Sequence, residues 1–155
     1  MKSIYKILFS LFILSNSLII FAQTYSGKII KVIDGDTFVF QAAEGNLKIR
    51  MLAIDAPEHD QPAGQESKAF LATFENKAGI LKAESVDKYG RTLAYLFIDN
   101  QNINLLCVRN GHAWHYKQYN KDEAFAQAEK QAKAEKLGLW KEPDPIPPWN
   151  WRKVH

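Results

Sequence analysis

The chain has 155 residues, of which 46% are hydrophobic, and it carries a formal net charge of +3 and a single cysteine. That lone Cys107 excludes an internal disulfide and a metal site built from thiolates. The charge is too small for overall basicity to indicate a nucleic-acid partner, so any polyanion would have to be held by locally placed positive charge.

The first segment, residues 1–22, has the pattern of a secretory signal. Two lysines and no acidic residue precede an apolar run that is too short, and too polar at its centre, for a membrane anchor. We therefore expect export to the periplasm or out of the cell, cleavage after Ala22, and no stable membrane association afterwards. Without Lys2 and Lys6 the remaining chain has a net charge of about +1, and its size suits one domain with a single core.

The next region, from Thr24 to Ile54, has the pattern of β-structure. Three segments rich in β-branched and apolar residues are separated by the turn-like sequences DGD and AAEGN, which predicts an antiparallel meander. These strand segments are 28–33, 37–41 and 47–54. The Asp-Gly pair favours a turn in which Gly35 adopts positive φ, but such a turn needs only one aspartate. Asp36 is left without a structural reason.

The rest of the chain alternates between helix and strand patterns. Helices are predicted at 66–76, at 103–109 and after Asn120, and strands at 80–84 and 93–98. Asn120 is followed three residues later by Glu123, which favours Asn120 as the cap of the third helix. Five short strands with about three helices predict an α+β fold dominated by β-structure, a five-stranded OB-type barrel over residues 23–142.

The C-terminal segment, residues 143–155, reads PDPIPPWNWRKVH. Its prolines predict an extended conformation without a regular helix or strand. We expect this tail to fold back on the barrel and bury an indole ring.

Two aspartates that are distant in sequence, Asp36 and Asp55, both lie near predicted strand ends. Ala56 precedes a proline, so the direction of its carbonyl is nearly fixed. If the strand ends are neighbours, two carboxylates and this carbonyl converge on an oxygen-only site that suits Ca²⁺ or Mg²⁺. Three protein oxygens leave coordination positions open for water and substrate, as a metal-using catalyst requires.

Three ordered motifs, VIDGDT, IRMLAIDAPE and DKYGRTLAY, together resemble the staphylococcal nuclease (thermonuclease) family, in particular secreted bacterial members. The resemblance extends from about Tyr25 to Trp140. It implies an OB-type barrel with a bound calcium ion that hydrolyses DNA and RNA as an endonuclease and leaves 3′-phosphate ends. We expect a monomer.

The resemblance also implies a role for individual residues. Asp36, Asp55 and the backbone carbonyl of Ala56 match the calcium ligands, and Glu58 matches the general base. The two catalytic arginines match Arg50 and Arg91. The terminal phosphate of a bound nucleotide would meet Lys88 and Tyr89, while Tyr116 or Tyr119 would form an aromatic wall of the base pocket.

Two other functions are compatible with the same sequence. One is a non-catalytic OB-fold module that binds nucleic acid, since such barrels persist after losing their catalytic residues. A decayed domain would be expected to have lost some of the five matching side chains, and all five are present. The other is a calcium-stabilised adhesion or envelope domain, in which chelation would lower stability without abolishing any turnover.

Overall fold

The computed structural model describes residues 23–154, so the predicted signal segment and its cleavage point lie outside the described residues. Within this range the strands are β1 (Gln23–Asp34), β2 (Thr37–Ala42), β3 (Gly45–Met51), β4 (Ile54–Asp55), β5 (Ala78–Val86), β6 (Thr92–Ile98), β7 (Gln101–Asn102) and β8 (Trp114–His115). The helices are α1 (Gly64–Ala72), α2 (Ile103–Arg109), α3 (Glu123–Ala134), a 3-10 helix (Gly138–Lys141) and α4 (Pro148–Val154). Across these residues, no helix has the length and apolar character needed to cross a membrane.

Five of the strands, β1, β2, β3, β5 and β6, form a closed barrel. The long strand β1 pairs antiparallel with β5 through its first half and with β2 through its second half. Irregular register after Ile29 and after Val32 lets β1 bend from one neighbour to the other. The barrel closes where β3 pairs in parallel with β6, from Ile49 to Met51. The predicted five-stranded barrel is confirmed, and residues 23–154 contain four α-helices instead of about three.

The core fills the barrel and the space between it and the helices. Alternating residues of each strand point inward, as a half-buried strand requires. In α2, the apolar face contains Cys107, which is fully buried and serves as a small hydrophobic residue. The core side chains with no more than 1% exposure include Ile29, Phe38, Phe40, Ile49, Met51, Leu71, Leu81, Leu96, Ile103 and Val108.

Two predicted boundaries are wrong because backbone geometry overrides the apolar pattern. The third strand ends at Met51 instead of Ile54, because Ala53 adopts a left-handed φ of 67° that turns the chain toward a second, two-stranded sheet. The first helix ends at Ala72, and Gly79 lies inside β5. A Cβ on Gly79 would lie 3.1 Å from the carbonyl oxygen of Phe97, so this glycine allows close strand packing and does not end the helix.

The predicted cap of the third helix is also wrong. Asp122 caps α3 by accepting a hydrogen bond from the Ala124 amide at 2.9 Å. Asn120 instead lies against His115, with its side-chain oxygen 3.0 Å from Nε2 of that ring. The contact with His115 therefore replaces the capping role that the local pattern predicted for Asn120.

The tail is not extended throughout, because residues 148–154 form α4. Pro148 is the first residue of this helix, where its fixed φ fits the helix and its missing N–H is not needed. The tail lies against the barrel, with the indole of Trp149 stacked on the ring of Tyr116 at 5.4 Å between ring centroids. The prolines thus precede and begin a short helix.

Candidate active site

A cleft of about 660 Å³ opens at one end of the barrel. It lies where three connections meet, namely the β1–β2 turn, the segment from β3 through β4 to residue 58, and the β5–β6 loop. Its charged and aromatic lining consists of Asp34, Asp36, Arg50, Asp55, Glu58, Asp87, Tyr89, Arg91, Tyr116, Tyr119 and Arg152.

Asp36 joins two of these connections. Its carboxylate Oδ2 accepts a hydrogen bond of 2.8 Å from the backbone N–H of Ala56, and its backbone carbonyl accepts one of 2.9 Å from Met51. Only 6% of Asp36 is exposed. The two acidic segments singled out in the sequence are therefore neighbours in space.

Gly35 is needed between the two aspartates for a reason other than the predicted one. It is not among the residues with positive φ. A Cβ at this position would lie 2.7 Å from Cβ of Ala56 and 2.8 Å from Cβ of Ser67. The glycine therefore lets the β1–β2 turn pack tightly against the segment that carries Asp55.

Asp55 lies in β4 and is 1% exposed. Burial raises the pKa of its carboxyl, and so does the neighbouring charge of Asp36, whereas Arg152 and Arg50 oppose the rise. At the end of β1, burial and the charge of Asp36 raise the pKa of Asp34 to about 6. Both shifts follow from carboxyl groups that are buried close together in the cleft, beside the guanidinium groups of Arg50 and Arg152.

Arg50 connects the two buried carboxylates. Its Nη2 lies 2.9 Å from Oδ1 of Asp55 and 3.1 Å from Oδ2 of Asp36. Its Nη1 donates to the backbone carbonyls of Met51 at 2.7 Å and Ile54 at 2.9 Å. Four contacts to fixed groups hold this guanidinium in one orientation.

The donor set fits a hard cation such as calcium. The available groups are carboxylate and carbonyl oxygens, which are the ligands that calcium takes. Among the described residues, no group of three or more histidine, cysteine or acidic side chains is arranged to hold a metal ion. Asp36 and Asp55, with the Ala56 carbonyl, would therefore form an incomplete cage in which other ligands come from water or substrate.

Arg91 projects from the β5–β6 loop into the same cleft. Its Nε donates to Oδ2 of Asp87 at 2.8 Å, and its backbone N–H donates to the other carboxylate oxygen at 3.0 Å. Desolvation raises the pKa of Asp87, but hydrogen bonds from Arg91 and Tyr89 outweigh it and hold the pKa below its usual range. Tyr89 is 71% exposed at the rim, and Lys88, which lies beside its ring, is in the loop but not in the cleft lining.

Tyr116 and Tyr119, the two candidates for the aromatic wall of the base pocket, both line the cleft. Both therefore remain candidates. The rings of Tyr116 and Tyr119 meet edge to face with 4.8 Å between centroids. Burial, with the nearby charge of Asp55, raises the pKa of Tyr116, the more enclosed of the two. Tyr119 is 71% exposed.

Arg152 is a cleft residue that the sequence interpretation missed. It comes from α4, and its guanidinium lies 2.8 Å from Oδ2 of Asp55 and 2.6 Å from Oε1 of Glu58. Its hydrogen bonds to Asp55 and Glu58 raise the pKa of Arg152 further above its ordinary value. Trp149 and Arg152 are three residues apart and would share one face of a helix, but the prolines of the tail predicted no helix there. Asp34 was likewise regarded only as a turn residue.

Comparison with known proteins gives consistent results. Residues 48–142 match the family described as "Staphylococcal nuclease homologue". An "Uncharacterized endonuclease" of Haemophilus influenzae is 41% identical over 129 residues, which cover 81% of this chain and 72% of that protein. A "Micrococcal nuclease" of Shigella flexneri is 34% identical over 143 residues, covering 84% of this chain and 82% of that protein.

Proposed function

The chain belongs to the staphylococcal nuclease family, and we propose that it is a calcium-dependent endonuclease that hydrolyses phosphodiester bonds of DNA and RNA and leaves 3′-phosphate ends. One observation carries the proposal. Five side chains from three separate parts of the barrel line the same cleft. They are Asp36, Arg50, Asp55, Glu58 and Arg91. This set combines a cation site, a base and two phosphate-binding cations, which are the groups that phosphodiester hydrolysis needs.

Asp36, Asp55 and the carbonyl of Ala56 would hold the calcium ion, which supplies positive charge for a phosphoryl oxygen of the substrate. Arg50 presents a guanidinium that the carbonyls of Met51 and Ile54 already fix in place. Such preorganised charge stabilises a transition state without reorganisation during the reaction.

Glu58 accepts a proton from the water that attacks phosphorus in line, and the bond from phosphorus to the 5′-oxygen breaks. The side chain is 35% exposed, so water reaches it. Arg91 stabilises the charge that develops on the phosphoryl oxygens. Because a guanidinium does not release its proton at neutral pH, the leaving oxygen takes a proton from solvent.

The substrate is held through its backbone and its base faces. Lys88 and Tyr89 bind a terminal phosphate, and Tyr116 offers its ring to a base. Stacking and backbone charge do not read base edges, and we propose that single-stranded DNA and RNA are both substrates. The signal-like composition of residues 1–22 supports export, and we propose that the exported protein acts as a monomer.

The test is digestion of plasmid DNA, single-stranded DNA and RNA with calcium, with and without a chelator, followed by end-group analysis. Chelator-sensitive cleavage with 3′-phosphate ends is the expected result. The alternative, a binding module without catalysis, predicts retention of nucleic acid with no cleavage. A calcium-stabilised structural domain would show a lower melting temperature after chelation and no turnover under any condition.

A further inference from the structure

The C-terminal helix α4 contributes a charged group to the cleft from the far end of the chain. Arg152 Nη2 donates to Oδ2 of Asp55 at 2.8 Å, and Nη1 donates to Oε1 of Glu58 at 2.6 Å and to Oδ1 of Asp55 at 3.3 Å. These partners lie 97 and 94 residues earlier in the chain. The Arg152 guanidinium therefore donates hydrogen bonds both to Asp55, a proposed calcium ligand, and to Glu58, the proposed base.

Helix α4 is held in place by aromatic packing and by a buried amide. Trp149 stacks on Tyr116, with the two rings 3° from parallel. It also meets Trp114 edge to face, with 5.6 Å between the ring centroids. Gln61, which is 6% exposed, donates to the carbonyl of Ile146 and accepts from the backbone N–H of Glu58. Gln61 thus joins the tail to the Glu58 segment, and Trp149 joins it independently to Trp114 and Tyr116.

The carboxylate of Glu58 has one hydrogen-bond partner among the described residues, and that partner is Arg152. A glutamate side chain with partial exposure samples several rotamers unless something holds it. A charge-assisted hydrogen bond of 2.6 Å restricts it to one position. Because Arg152 also contacts Asp55, the position of Glu58 is fixed relative to the cation site.

We propose that Arg152 is a positioning residue for this nuclease. It fixes the position of the Glu58 carboxylate relative to Asp55, so that the base faces the water that attacks the phosphate. This inference rests on the proposed function. Through this one side chain the tail influences catalysis, and Arg152 acts on the base and not on the reacting atoms. Loss of alignment of a base typically lowers turnover without an equal loss of substrate binding.

The experiment compares Arg152→Gln and Arg152→Lys with the parent protein, and uses Lys153→Gln as the matched control. Lys153 is an exposed neighbour on the same helix whose ammonium contacts Asn150. We expect Arg152→Gln to lower kcat by about 10- to 100-fold with little change in KM. Arg152→Lys should recover part of that loss, since lysine keeps the charge but lacks the fork that spans two carboxylates. Lys153→Gln should match the parent.

A double variant tells positioning apart from a structural effect. In a Glu58→Gln background the base is gone, so adding Arg152→Gln should change kcat by less than about threefold. If Arg152 merely stabilised the fold, its loss would lower activity equally in both backgrounds. That equal loss would overturn the proposal.

Calcium binding to the resting protein, measured by calorimetry, supplies a readout other than activity. We expect the calcium affinity of Arg152→Gln to change by less than about threefold, because loss of a positive charge beside Asp55 favours the cation whereas loss of the partner that orients Asp55 opposes it. A tenfold rise in affinity together with a rise in activity would mean that Arg152 competes with the cation, and would overturn the positioning role. A parent protein that shows no calcium-dependent cleavage would refute the proposed function itself, whereas an active parent with an unimpaired Arg152→Gln variant would refute only this inference.

Discussion

The side-chain amide of Asn104 donates a hydrogen bond of 2.9 Å to the backbone carbonyl of Leu52. The same amide group donates to the carbonyl of Ala94 at 3.1 Å, and its oxygen accepts from the N–H of Leu96 at 3.0 Å. Asn104 is fully buried. A residue of α2 thus fixes both the barrel strand β6 and the turn that leads into Asp55.

Replacing Asn104 with alanine should destabilise the protein by about 2–4 kcal/mol, because the N–H of Leu96 and the carbonyl of Leu52 lose this partner and the carbonyl of Ala94 keeps only the N–H of Leu52. The free energy of unfolding in urea measures this. Asn110→Ala is the control, since Asn110 makes one side-chain hydrogen bond, to Leu106, and is only half-buried. Equal losses for the two variants would contradict a special role for Asn104.

The Glu58→Gln variant should lower kcat by about 10²- to 10⁴-fold, because an amide cannot accept the proton of the attacking water. The amide oxygen can still accept a hydrogen bond from Arg152, so the fold should be retained. Single-turnover cleavage of a short DNA substrate measures the loss, and circular dichroism checks the fold. Parent-like activity would show that another group is the base.

The Asp36→Asn variant should weaken calcium binding by at least about tenfold, because one of two anionic ligands becomes neutral. The asparagine oxygen can still accept the hydrogen bond from Ala56, so the variant should fold. Calorimetric titration with calcium measures the change. Asp99→Asn, in the β6–β7 turn, removes the same charge elsewhere and should bind calcium like the parent; a similar weakening there would point to general electrostatics instead of a ligand.

His112 should make the protein sensitive to acid. Burial, reinforced by the charge of Lys141, lowers its pKa from 6.5 to about 4, and its ring stacks on Phe70 at 4.2 Å. The unfolded chain therefore takes up a proton that the folded chain excludes. Stability from this source is complete above pH 6.5 and is lost as the pH falls from 6.5 toward 4.

His112→Phe keeps a ring against Phe70 but removes the titrating group. Between pH 7 and pH 5 this variant should lose about 1 kcal/mol less stability than the parent, because solvent screening reduces the effect of a partly exposed ring. Urea unfolding at a series of pH values gives the comparison. Parallel stability curves for the two proteins would exclude His112 as the source of acid sensitivity.

Much of the barrel could be predicted from the sequence because its strands are short, alternating and bounded by turn residues. The meeting of Asp36 with Asp55 could be anticipated as well, since strand ends in a meander are neighbours. Two wrong details have separate causes. Ala53 adopts a positive φ, and Asn120 contacts His115. The local pattern of apolar and polar residues predicts neither.

Arg152 was missed for a different reason. Its partners lie more than ninety residues away, and the proline content of the tail argued against any regular structure there. What the sequence lacked was the docking of Trp149 on Tyr116, which brings α4 to the cleft. Long-range contacts of this kind depend on the completed fold.

The parallel seam between β3 and β6 has a consequence for folding. It joins segments that are about forty residues apart, and it includes Arg50 itself, which is paired with Leu93. Non-local pairing of this kind is slow, because a long loop must close before the contact forms. A refolding intermediate in which this seam is still open would leave Arg50 without its strand partner, so enzymatic activity should not return before the seam closes.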